Sequence, residues 1–324
     1  MKLVLLALFL VVVALTSLVL GRYHIPLHAW REFIQHPENG DVATQVLLRV
    51  RLPRLLGGLL IGAGLSVSGA AYQGLFRNPI VSPDILGASA GAGVGAAIAI
   101  LLGCGAAAIQ GISFLVGLAA VGATCFVAGR VRNDPVLAMV LAGVMIASIC
   151  EALVSLTKTV ADPQDKLPAI TFWLMGSLGS INNTNLVWLL ALIPPGILAL
   201  VLMRWKLNVL SMGEEEAASL GVNTRSARWI VVLSATVLTT SAVSVSGMIG
   251  WVGLVIPHVA RMIVGPNYKV LLPASIMLGG SYMLLVDDIS RSAMASEIPL
   301  GILTHLIGAP FFLYLLIRMR QGWA

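Results

Sequence analysis

Arg204-Trp205-Lys206-Leu207-Asn208-Val209-Leu210-Ser211-Met212-Gly213-Glu214-Glu215-Glu216-Ala217-Ala218-Ser219-Leu220-Gly221-Val222, with Arg225 and Arg228 just beyond, is built unlike the rest of the chain. It is charged, it lies past the middle, and long apolar segments flank it on both sides. Three glutamates followed by Ala-Ala-Ser-Leu-Gly predict a short helix over 214–220. Glutamates suit a first helical turn, where the dipole is positive, and Gly221 suits the left-handed position after the last turn. Ala217 and Leu220 are three apart and share a face. So short a helix buries little by itself, so that face is expected to dock on another surface. The simpler alternative is a solvated loop between two membrane segments.

The flanks explain why such a stretch stands out. Of 324 residues, 58% are hydrophobic and 10% charged, against about 25% charged in a soluble domain. A chain this apolar cannot hide its surface by folding on itself, and the expectation is an all-α integral membrane protein forming one transmembrane domain over 1–324. Apolar segments at 3–20, 53–74, 84–103, 110–129, 135–156, 186–203, 229–249, 251–264, 271–290 and 299–317 give about ten spans of ~20 residues, some of them short. Arg22 follows the first segment where a secretory signal would have a small-residue cleavage site, so that segment reads as a retained helix. Pro257, His258 and Arg261 interrupt 251–264, which must therefore be buried in protein. The 33 glycines suit close helix packing. The net charge of +6 sits mostly at segment ends and is no nucleic-acid footprint.

With the N- and C-termini cytoplasmic, the inner loops hold Arg77, Arg130, Arg132, Arg204, Lys206, Arg225, Arg228, Lys269, Arg318 and Arg320, a modest inner excess. Arg49, Arg51 and Arg54 break that trend on the outer side. In Arg51-Leu52-Pro53-Arg54 two cations bracket a proline placed to open a helix. They read either as snorkelling anchors or, preferred here, as a receptor for an acidic partner. Asp287 and Asp288 lie four and three residues before Arg291 and can pair with it along one helix face. Ser66-Val67-Ser68-Gly69 recurs as Ser244-Val245-Ser246-Gly247, on helices of opposite direction, which fits an inverted repeat about the central stretch. Ser82 or Asp84 is placed to cap a helix.

Other polar residues carry less. Glu151, inside an apolar segment, must face a partner or water, or lie near the outer end. His305 reads as a packed histidine. His24 and His28, four apart around Pro26, read as loop residues rather than a metal pair. Cys104, Cys125 and Cys150 read as packing residues. The chain has no Gly-x-x-x-x-Gly-Lys-Ser/Thr phosphate loop, no nucleophile–base pair and no metal cluster, so any ATP used is hydrolysed on another polypeptide.

Taken together, the chain resembles the permease subunits of the iron-siderophore, haem and vitamin B12 class of ABC importers. The markers are Arg51-Leu52-Pro53-Arg54; Arg77-Asn78-Pro79 with Ser82-Pro83-Asp84-Ile85-Leu86-Gly87; Leu141-Ala142-Gly143-Val144; Phe172-Trp173-Leu174-Met175-Gly176-Ser177-Leu178; the 210–222 stretch; Gly253-Leu254-Val255-Ile256-Pro257-His258; Leu271-Leu272-Pro273; and Glu297-Ile298-Pro299-Leu300-Gly301 through Gly308-Ala309-Pro310. The resemblance implies ten-helix subunits paired as a homodimer or close heterodimer, with a path between them. It implies two ATP-binding-cassette ATPase subunits gripping a coupling segment at about 208–222, which contains Leu210, Met212, Gly213, Glu214, Glu215, Glu216, Ala217, Leu220 and Gly221. It implies an extracytoplasmic binding protein docking at Arg51, Arg54 and Arg291, and an inner gate near Asp134, Pro135, Val136 and Leu137. This chain itself would carry no cofactor; ATP and Mg belong to the ATPase. The expected cargo is a ferric siderophore. Alternatives are cobalamin, haem or an oxyanion, or more remotely an ion-driven secondary transporter.

Overall fold

The computed structural model describes residues 1–21, 42–131 and 135–319. His24, His28 and Asp134 lie outside them. Among the described residues the chain is helical, with α1 Lys2–Val19, α2 Val42–Val46, α3 Leu52–Leu75, α4 Ala88–Leu101, α5 Ala106–Ala128, α6 Pro135–Val160 and α7 Lys166–Met175 in the first half. The second half holds α8 Asn183–Leu202, the short α9 Arg204–Leu210 and α10 Glu214–Ser219, then α11 Thr224–Ser246, α12 Val252–Val264, α13 Tyr268–Ser292 and α14 Leu300–Met319. Seven helices are long and apolar enough to cross a bilayer, and α4, α12 and α14 supply three shorter apolar ones. The ten expected segments are thus all found as helices. The helix α7 was not among them, because ten residues are too few to stand out as a span.

The centre of the molecule is α3. It packs along α13, α11, α8 and α12 and is buried over nearly its whole length. A helix surrounded by protein is apolar or small on every side, and α3 achieves this with glycine, alanine and serine. At Gly69 the backbone of α12 comes so close that an added Cβ would overlap the carbonyl oxygen of Gly253. Serine and threonine hydroxyls join the same helices. The Thr239 hydroxyl meets Ser68 at 3.4 Å, and the Tyr72 hydroxyl lies 3.2 Å from Thr236. Gly69→Val is therefore expected to force α3 and α12 apart and to cost at least ~1–3 kcal/mol of overpacking. A thermal unfolding midpoint unchanged in detergent would rule out this close approach.

The outer helices differ. Only 11% of the apolar window of α1 is buried, and Leu5, Leu8, Val12 and Leu15 are exposed along it, as suits a helix facing lipid. It rests on α13.

At α4 and α12 the crossing is incomplete. Fourteen residues reach only about 21 Å, short of the ~30 Å hydrocarbon layer. Non-α backbone at 81–87 and 247–251 makes up the difference and is buried or half-buried in protein, the condition under which such backbone is tolerated there. Each break follows a long helix and precedes a short one, α3 to α4 and α11 to α12, the outline expected of related halves. Ser82, rather than Asp84, provides the cap, its hydroxyl accepting from the Asp84 N–H at 3.1 Å. At the second break Trp251 takes φ +69°, and α12 starts beyond it.

Candidate functional site

The central charged stretch folds as two short helices. In α9, Leu207, Val209 and Leu210 turn inward, while Trp205 stays exposed. The chain reverses through Ser211, Met212 and Gly213 into α10. Glu214, Glu215 and Glu216 form its first turn, where their charge meets the helix dipole favourably. The helix stops as expected. Gly221 takes φ +77°, its N–H donates to Ala218 at 3.0 Å, and the Val222 N–H donates to Ala217 at 2.9 Å. This is the paired closure by which a left-handed glycine satisfies the last carbonyls of a helix. Buried Ala217 and Val222 provide the apolar contact that goes with it.

One expectation needs correcting. Ala217 and Leu220 do not form a single free face. Ala217 is fully enclosed in the chain's own core, whereas Leu220 is 54% and Met212 66% exposed. Leu210 and Gly213 are likewise buried. The surface left for a partner is made by Met212, Glu215, Glu216 and Leu220, and the others hold it in place. Glu214 is used internally, in an ion pair with Arg228 on α11. Pro135 opens α6 and, with Glu214, Arg225 and Arg228, lines one cavity of about 340 Å³. Of the expected gate segment, Leu137 is 53% exposed and Val136 half-buried.

The second correction concerns Arg51, Arg54 and Arg291. A receptor patch for an acidic partner calls for accessible cations, yet these are 5%, 9% and 8% exposed. Arg54 is a clamp. Its Nε and Nη2 donate to the two oxygens of Asp287 at 2.9 Å each, and its Nη1 and Nη2 donate to Glu297 at 2.8 and 3.0 Å. The planar fork of a guanidinium matches a carboxylate in this two-point way. Arg291 pairs with Asp288 and lies 3.7 Å from Asp287, so the expected pairings along α13 are both present. Arg291 and Arg51 also finish α1. Arg291 donates to the Ser17 carbonyl at 2.6 Å, and Arg51 donates to those of Leu18 and Val19 at 2.5 and 3.0 Å. These belong to the last turn of α1, whose carbonyls lack partners within the helix and carry partial negative charge. The arginines gather on one face, as expected, and their charges are met by the chain itself.

A further cavity, about 620 Å³, opens where helices break. Asp84 comes from the first break and Ser89 from the start of α4, Met248 and Gly250 from the second break, Glu151 from α6 and His305 from α14. Asp84 accepts from the Ser89 hydroxyl. The His305 Nδ1 lies 2.6 Å from the Gly301 carbonyl oxygen. Glu151 and His305 were read separately and Asp84 only as a cap; periodicity gives no signal that three segments so far apart share a wall. Among the described residues no cluster has the makings of a metal site.

A bundle of membrane-length helices with broken ones meeting at an open cavity is the architecture expected of a transport permease. The chain belongs to the FecCD transport family, whose profile matches residues 8–318. It is 39% identical over 324 residues to the molybdate import system permease protein MolB of Haemophilus influenzae, covering 98% of this chain and 95% of that one. It is 38% identical to a probable iron chelatin transport system permease protein of Helicobacter pylori, covering 97% of each. A solved metal-chelate type ABC transporter in an inward-facing conformation superposes with TM-score 0.89 at 39% identity over 98% of both chains. The protein is thus a multi-pass permease subunit of a type II ABC importer.

Proposed function

We propose that the chain is the subunit through which a metal chelate, a ferric siderophore first among them, crosses the cytoplasmic membrane. It works as one of two copies, with two separate ATP-binding-cassette ATPases and an extracytoplasmic binding protein. The observation that carries this is the α9–α10 pair. A rigidly capped helix presents Met212, Glu215, Glu216 and Leu220 outward between two membrane halves, a convex surface suited to a groove on another protein. Force applied there passes into the membrane bundle through the Glu214–Arg228 ion pair and the packing of α10 on α9 and α11. ATP and its Mg are held by the ATPase, and the chelate passes unchanged.

The lining of the 620 Å³ cavity bears on the cargo. It includes Asp84, Glu151 and His305 and neither lysine nor arginine. Such a wall suits a neutral or cationic chelate better than a free oxyanion such as the molybdate of the Haemophilus relative. The binding protein is placed on the face that Arg51, Arg54 and Arg291 organise. With their charges already met, the arginines act by shaping that face, and half-exposed Glu297 forms its rim.

Proteoliposomes carrying the chain with its ATPase and binding protein should take up a ferric siderophore only when ATP is supplied. Uptake driven by an ion gradient without nucleotide would replace this reading with a secondary transporter. Uptake of molybdate in preference to the chelate would overturn the cargo.

A further inference from the structure

The 340 Å³ cavity lies beside α10. It lies between the end of α5, the start of α6 and the first turns of α11. Among the described residues, Arg225, Arg228 and Glu214 are the charged groups lining it, one positive charge in excess. Glu214 meets only the Nη2 of Arg228. The Nε of Arg228 is buried and has no hydrogen-bond partner among the described residues. That nitrogen is closed to solvent, so an anion in the cavity meets Arg225 and the part of Arg228 that lines it. The first turn of the 23-residue α11 begins at Thr224, also in the lining, and adds the positive end of its dipole.

The lip of the cavity is apolar. Trp229 is 53% exposed, and Phe126 and Leu233 nearby on α5 and α11 are 64% and 63% exposed. Arg130 stacks on Phe126, 4.6 Å above the ring, at the same level. Cations above a band of outward-facing apolar side chains match a molecule with an anionic head and hydrocarbon tails. A free phosphate would leave that band without use. We propose that this cavity seats the phosphate of an anionic phospholipid on the coupling side of the membrane. The phosphate accepts from Arg225 and from the part of Arg228 that lines the cavity, and the acyl chains lie along Trp229 and Leu233. Because Glu214 is the first residue of α10, the headgroup sits against the root of the coupling helix. This placement rests on the membrane topology and is independent of the cargo.

Native mass spectrometry of the full chain in mild detergent, with phosphatidylglycerol and phosphatidylcholine offered together, tests it. Phosphatidylglycerol should be retained and phosphatidylcholine stripped. Arg225→Gln and Arg228→Gln should each lower that retention about fivefold, the equivalent of the ~1 kcal/mol that one cation contributes at a membrane surface. Should Arg228→Gln fold poorly, Arg225→Gln, at an exposed position, carries the test alone. Three results overturn the proposal. One is retention unchanged in Arg225→Gln. Another is displacement of the lipid by inorganic phosphate, which would mark a simple anion site. The third is loss of ATPase assembly in Arg225→Gln with lipid retention intact, which would give the cavity to a protein partner.

Discussion

Arg54→Ala should yield little folded protein. The substitution leaves Asp287, 2% exposed, as a buried carboxylate without its two-point partner, and it frees Glu297 as well. Removing one member of a buried ion pair costs about 3–5 kcal/mol, a large share of the 5–15 kcal/mol that holds a typical domain together. Lysine should not rescue it, because an ammonium cannot meet both carboxylates with the geometry of a fork. Neutralising the whole set in Arg54→Met with Asp287→Asn and Glu297→Gln should recover much of the loss, since nothing charged then stays stranded. Thermal midpoints by fluorescence-detected gel filtration in detergent measure each step. If Arg54→Ala melts like the parent and fails only to bind an extracytoplasmic partner, the three arginines are free docking charges and the clamp assigned here is wrong.

Leu220→Asp should separate the motor from the path without disturbing the fold. Leu220 is 54% exposed and belongs to the capping turn of α10 only through its backbone, so stability should change by less than ~0.5 kcal/mol. Placing a charge at the centre of a helix-in-groove contact should weaken ATPase binding by at least ~2 kcal/mol, more than tenfold. Met212→Asp should act in the same direction. Ala217→Leu is the contrasting control: the site is fully buried, and damage there should appear first as lost stability. Co-purification of the ATPase at undiminished yield, with transport intact in Leu220→Asp, would remove α10 from the coupling role.

The sequence disclosed what is local. The start of α10 at Glu214, its stop at Gly221 and the Asp288–Arg291 pairing each depend on residues within one or two turns, and each is present. Long apolar runs marked the spans, because the bilayer imposes their length. Burial of the arginines was not legible. Arg54 meets Glu297 across 243 positions and Arg291 meets Ser17 across 274, and no periodicity reports partners so remote. Ala217 misled for a related reason. Spacing says which side chains share a helix face, but whether that face is covered depends on where α10 rests against α9 and α11. The cavity that joins Asp84, Glu151 and His305 was hidden for the same cause, since three separate segments build it.

The seam that ties α1 to α13 has an implication for how the protein is made. The helix Lys2–Val19 is synthesised first, yet the residues that complete its final turn, Asp288 and Arg291, are translated some 270 positions later. Until then α1 has only Arg51 on its Leu18 and Val19 carbonyls, and Ser17 waits for both of its partners. Assembly therefore finishes where it began: the newborn chain is sealed when its last quarter returns to the helix that entered the membrane first, and a ribosome stalled before residue 288 should leave that first helix open to protease.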